Sequence, residues 1–232
     1  MNYESRYISR IVNSVILKIV YAILPIVIFI AVSGGCRSDE DESMALAHAR
    51  SIFKEVFEDF KVQNKQIKLE LEEGTNTLLT FKEAIKTAQD KDAEFAKVYT
   101  KWSKIEEEVK SLHEKFANLV KGADAFFAEM IDKANSITDD QLKTKQLDRI
   151  NERKEKYTTR LKQSRNKINM LDDVNTKVRD TITALEINYS LDVLEEKLTE
   201  TFQEIDTMIE SIMKELEELS RESESLLTIR FG

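Results

Sequence analysis

Stepping by seven from Phe53 lands on Phe60, Ile67, Gly74, Phe81, Ala88, Phe95, Trp102, Val109, Phe116, Ala123 and Met130. Eleven of these 12 positions are apolar, in a chain that is 41% hydrophobic overall. A second row through Val98, Ile105, Leu112, Leu119 and Phe126 runs beside the first, so the apolar positions advance by alternating steps of three and four. That is the narrow stripe of helices that pack along their length, because a repeat of 3.5 residues keeps one seam facing a neighbour. Aromatics and alanines take places that a two-stranded zipper fills with Leu and Ile, which favours antiparallel packing within one chain.

The phase persists through Gly74, where a glycine costs a helix only about 1 kcal/mol relative to alanine. It also persists through Gln89-Asp90-Lys91-Asp92, although Lys91 and Asp92 stand where the second row should be apolar. The tetrapeptide is therefore the expected hinge between helices over 44–90 and 92–134. Asn135 to Gln141 is the first firm turn: Thr138 followed by Gln141 matches a capping box, and Asp139 and Asp140 suit the positive end of a new helix. A third helix is expected over 139–187, on Ile150, Tyr157, Leu171, Val178 and Leu185 with Leu147, Leu161, Ile168 and Ile182 beside them. Lys154, Ser164 and Asn175 interrupt that stripe; polar residues on such a seam can fix register at a cost in stability, and the favoured expectation is that the seam is partly exposed there. The next ladder, Leu191, Leu198, Ile205, Ile212, Leu219 and Leu226, starts six residues after Leu185 instead of seven, with Ser190 as a ready cap. A fourth helix follows over 191–229.

An all-α fold results, in one of two layouts. If the 44–90 and 92–134 segments run straight on, the chain is an elongated antiparallel helical hairpin that turns near residue 137. If it folds at both hinges, it is a four-helix, coiled-coil-like bundle over 44–230.

The start of the chain has a different pattern. Arg6, Arg10 and Lys18 precede an uninterrupted apolar run of 14 residues, Ile19 to Val32, and then Ser33, Gly34, Gly35 and the only cysteine, Cys36. Positive charge, a short apolar core and small residues form the three parts of an export signal. A run of 14 is shorter than the roughly 20 residues of a spanning helix. In a lipoprotein-type signal, residues 1–35 are removed and the Cys36 thiol carries diacylglycerol, with 36–43 as an acidic linker. Ser33 stands where that pattern prefers Leu. The alternative is an uncleaved anchor over 11–32, in which Lys18 reaches the interface. Both place the remainder outside the cytoplasm.

Composition agrees with long helices: 34% of residues are charged, glycine numbers five, and the one proline, Pro25, lies in the apolar run. The formal net charge is −8, and without residues 1–35 there remain 32 basic and 42 acidic side chains, a net of −10. Such a body is a poor binder of nucleic acid. The charge is uneven, since 149–167 holds eight basic and two acidic residues while 192–224 holds 12 acidic and three basic. These runs read as solvated faces that neutralise each other across neighbouring helices, or as a docking patch beside a repelling face.

Catalytic and metal-binding patterns are missing. His48 and His113 have no second ligand at helical spacing, no Glu-x-x-His occurs, and no glycine-rich loop could cradle a phosphate. Neither an enzyme nor a bound metal or cofactor is expected. Phe95, Trp102, Phe116, Phe126 and Phe127 read as core, with an apolar-ligand or metal cavity in the bundle interior around Trp102 as the alternative.

The segment from about Phe57 to Leu227 resembles a family of predicted bacterial lipoproteins that share an all-helical domain of unassigned function. The resemblance rests on Phe81-Lys82 with Ala84-Ile85, and on Val178-Arg179-Asp180-Thr181-Ile182, Ala184-Leu185 and Asn188-Tyr189-Ser190-Leu191. It implies an all-helical protein of the cell envelope and carries no catalytic residues. Arg37 rather than Asp follows Cys36, which by resemblance to the sorting rule of many Gram-negative bacteria implies the outer membrane, facing the periplasm. The expected function is a membrane-anchored scaffold, spacer or binding surface for an envelope protein, with self-association left open.

Overall fold

The computed structural model describes residues 39–188 and 194–228. The chain divides into two units, Met1–Glu42 and Ser43–Gly232. Four helices follow one another: α1, Asp39–Thr87; α2, Lys91–Asn135; α3, Asp140–Asn188; and α4, Leu194–Leu227. No strand occurs among the described residues.

The first helix starts earlier than its apolar stripe. Asp39 to Glu42, expected as part of a linker over 36–43, belong to the first turn of α1. The remainder of the expected linker, together with Ser33, Gly34, Gly35, Cys36 and the segment 11–32, lies outside the described residues.

Within the second unit the chain folds back at each hinge. The helix α1 ends at Thr87, and Asp90 caps α2 by accepting a 3.0 Å hydrogen bond from the Ala93 amide. From that turn outward α1 and α2 pair antiparallel: Phe81 meets Phe95 with ring centroids 5.1 Å apart, Glu70 bonds Lys104, Asp59 bonds Lys115, and Phe53 stacks on Phe126 at 5.5 Å. The straight rod is thereby overturned, because a three-residue break at 88–90 reverses the chain while leaving the seven-residue count intact. The second turn is capped by Asp139, whose carboxylate accepts from the Leu142 amide at 2.9 Å. Thr138, the cap expected from the capping-box pattern, lies one residue too early. The third connection, with Ser190, falls outside the described residues.

The pair α2 and α3 is antiparallel through Tyr99 with Glu186, Glu106 with Arg179, His113 with Asp172, and Phe127 with Tyr157. The pair α3 and α4 follows suit through Lys177 with Glu204, Lys167 with Ser211, and Tyr157 with Ser223. An ion pair of 2.9 Å between Lys68 and Glu217 joins α4 to α1 and closes the ring. The unit is an up-down-up-down four-helix bundle. At 45 residues, α2 is about 68 Å long.

Each helix buries positions three and four apart. In α1 these are Phe53, Phe57, Phe60, Asn64, Ile67, Leu71, Gly74, Leu78, Phe81 and Ile85, an unbroken 4-3-4-3 alternation. In α4 they are Phe202, Ile205, Ile209, Ile212, Leu216, Leu219, Ser223 and Leu226. Each fully buried Phe or Leu contributes roughly 1.5–3 kcal/mol relative to exposure. Gly122 lets α1 and α2 approach closely: a Cβ there would lie 2.6 Å from Val56 Cγ2.

Candidate functional site

The expected attachment site, Cys36 with Ser33, Gly34 and Gly35, lies outside the described residues. What the helical unit presents is a closed interior and a charged exterior. Phe95, Trp102, Phe116, Phe126 and Phe127 are all buried as core. The Trp102 ring fills the space beside Gly74, where a Cβ would stand 3.3 Å from the ring and 2.5 Å from Ile105 Cδ1. Trp102 thus packs against Gly74 and Ile105, and its buried indole Nε1 has no hydrogen-bond partner. His48 is exposed, and His113 is half-buried with its Nε2 3.2 Å from Asp172. Among the described residues no group of three or more His, Cys, Asp or Glu side chains could hold a metal ion, and no helix is long and apolar enough to cross a membrane.

Polar chemistry appears instead on the seams. Ser164 and Asn175, expected on an exposed stretch, are buried. The Ser164 hydroxyl donates to Glu215 at 2.9 Å, so a partner 51 residues away lets a polar side chain stay inside. Beside it, Arg160 reaches Glu215, Glu218 and Glu222 of α4. The acidic run of α4 therefore neutralises one cation of the basic run directly, and Lys167 bonds the Ser211 hydroxyl. Arg149, Arg153, Lys154, Lys156 and Lys162 have no ion pair among the described residues. That part of the basic run faces solvent.

A second polar centre, which the sequence pattern hid, joins α1 to α2. Glu70 is buried, accepts from Lys101 at 2.7 Å and from Lys104 and Gln66, and Lys101 also bonds Glu73. These hydrogen bonds hold the Glu70 carboxyl below its ordinary pKa. Burial works against the Lys101 ammonium, yet its bonds to Glu70 and Glu73 outweigh that and raise its pKa. Four charges, Glu70, Glu73, Lys101 and Lys104, satisfy one another in this way and clamp α1 to α2.

Surface concavities run along helix seams. Between α3 and α4, one of 320 Å³ is lined by Glu152, Lys156, Arg160 and Glu222, and another of 260 Å³ by Arg153, Tyr157 and Leu226. A larger one of 720 Å³ lies between α1 and α4. Among the described residues, five of the seven exposed large apolar side chains, Met44, Ile52, Val62, Leu69 and Leu79, stand on α1.

No protein-family model, curated protein or solved structure matches this chain.

Proposed function

We propose that the protein is a bacterial envelope lipoprotein, held to the membrane through a diacylglyceryl group on Cys36, whose helical unit acts without catalysis as a scaffold, spacer or protein-binding surface. The observation that carries this reading is the position of the sole cysteine. Cys36 follows a 14-residue apolar run and Ser33-Gly34-Gly35, and the boundary between the two units comes six residues later, at Glu42. A thiol placed there puts the attachment point just before the folded body.

The body itself supports a passive role. Its core is filled by its own aromatics, and its buried carboxylate Glu70 is paired with Lys101 and Lys104. The family resemblance in Phe81 to Ile85 and Val178 to Leu191 fits the same reading, and Arg37 stands where the sorting rule of many Gram-negative bacteria has Asp in lipoproteins kept from the outer membrane. Fractionation of cells expressing Cys36→Ser tests it. Release of the variant from the membrane fraction is the expected result, whereas retention equal to wild type would assign the anchor to residues 11–32 and remove Cys36 from the mechanism.

A further inference from the structure

The turn at 88–90 reverses the chain with residues that favour going straight on. Ala88 and Gln89 are good helix formers, and neither glycine nor proline stands between Phe81 and Phe95. The Ala88 amide bonds the Ala84 carbonyl at 2.8 Å, so the helical pattern already continues one residue past the end of α1. No residue takes a positive φ among the described residues, and the reversal therefore needs no left-handed position. What stops the helix is Asp90, in the extended region at φ −116° and ψ 95°, where its side chain caps α2.

The seven-residue row also runs through this turn. Phe81 and Phe95 are buried, and Ala88 is half-buried between them. A helix continuous from α1 into α2 would carry both buried rows on one side, as two bundles stacked end to end along it require. The turn at 136–139 is built differently. There the Ser136 hydroxyl donates to the Lys133 carbonyl at 2.8 Å, Asp139 caps α3, and Asn135, Ser136, Thr138 and Asp139 are all weaker helix formers. Side-chain bonds on both flanks hold that reversal, whereas a single cap holds the one at 88–90.

We propose that two copies of this chain exchange α1 by straightening the turn at 88–90. In each copy α1 and α2 become one helix over 39–135, about 145 Å long, and α1 takes the place of its counterpart in the other copy's bundle. The α1–α2 contacts then form between copies: Asp59 with Lys115, Glu70 with Lys101 and Lys104, and Phe53 on Phe126. Every contact exchanged is one that the single chain already makes, so no new surface is needed. The gain is the backbone hydrogen bonds of a straight hinge, and the cost is association, so exchange grows with concentration. It does not depend on acylation of Cys36.

The test is thiol crosslinking of two single variants of the full chain, Asp59→Cys and Lys115→Cys, each with Cys36→Ser, coexpressed and purified together in detergent. The Asp59 carboxylate and the Lys115 ammonium are 2.6 Å apart, so a short bismaleimide joins these positions when α1 of one copy lies on α2 of the other. Crosslinked pairs of unlike chains are expected, and neither variant alone should give them. Two substitutions at exposed hinge positions shift the equilibrium in opposite directions. Asp90→Ala removes the cap and adds a helix former, which lowers the dimer dissociation constant by about tenfold or more, and Gln89→Gly raises it by about fivefold. Sedimentation at rising concentration reads both. The proposal is overturned if the mixed pair crosslinks no more than either variant alone, or if neither hinge substitution moves the dissociation constant. A monomer at every concentration, in wild type and Asp90→Ala alike, would also overturn it.

Discussion

Tyr157 and Ser223 share a buried hydrogen bond of 2.6 Å that ties α3 to α4. The Ser223 hydroxyl spends its one proton on the Leu219 carbonyl at 2.9 Å, so the Tyr157 O–H is the donor between them. Burial raises the Tyr157 pKa far above the ordinary phenol value, and the phenol stays protonated in its donor role. The two partners are therefore unequal. Ser223→Ala leaves a buried phenol O–H with no acceptor and is expected to cost about 1–3 kcal/mol, while Tyr157→Phe leaves Ser223 bonded to Leu219 and costs about 1 kcal/mol. Urea denaturation of both variants and of the double variant checks the order; a larger loss from Tyr157→Phe would contradict it.

Glu70 sets a dependence on acid. Its pKa is lowered in the folded state, so its contribution is present above the unfolded value of 4.5 and is lost as pH falls through the folded value. Glu70→Gln should destabilise the bundle by about 1–2 kcal/mol at neutral pH, below the figure for a fully buried pair because Lys104 is largely exposed. The gap between wild type and variant should narrow steadily below pH 4.5. Denaturation curves at pH 7 and pH 3 measure it, and a gap that stays constant would show that the clamp does not act through its charge.

Two glycines on the α1–α2 interface are expected to respond differently to alanine. At Gly122 the new Cβ would meet Val56 Cγ2 at 2.6 Å and the Phe53 Cα at 3.5 Å, a stiff side chain and a backbone atom. Overpacking of about 1–3 kcal/mol exceeds the gain of about 1 kcal/mol in helix propensity, so Gly122→Ala destabilises. At Gly74 the new Cβ would meet Ile105 Cδ1 at 2.5 Å and the Trp102 ring at 3.3 Å; only the terminal methyl of Ile105 has to turn far aside, whereas Gly122 faces a backbone atom as well, so Gly74→Ala should cost less than Gly122→Ala. Thermal unfolding of the two variants compares them, and a larger loss at Gly74 would contradict this packing.

The helices were legible because their seams repeat every seven residues, and the rows from Phe53 and Val98 are the buried rows of α1 and α2. Whether the chain turned at 88–90 was not legible in the ladder: Phe81, Ala88 and Phe95 keep their count across a break as well as along a rod. Asp90 was the local signal, as an N-cap. The polar centres were hidden for a different reason. Glu70 looks like any surface carboxylate until Lys101 and Lys104 arrive from a neighbouring helix, and Ser164 looks like a gap in a stripe until Glu215 reaches it. Asn64 is a different case: its Oδ1 has no partner, and its burial follows from the seven-residue row Phe57, Asn64, Leu71, Leu78 and Ile85.

The central claim is covalent, and intact-mass spectrometry of the protein extracted from membranes reads it directly. The account predicts a chain that begins at Cys36 and carries the added mass of a diacylglyceryl group on its thiol. A mass equal to the full sequence from Met1, with no acyl addition, would contradict it.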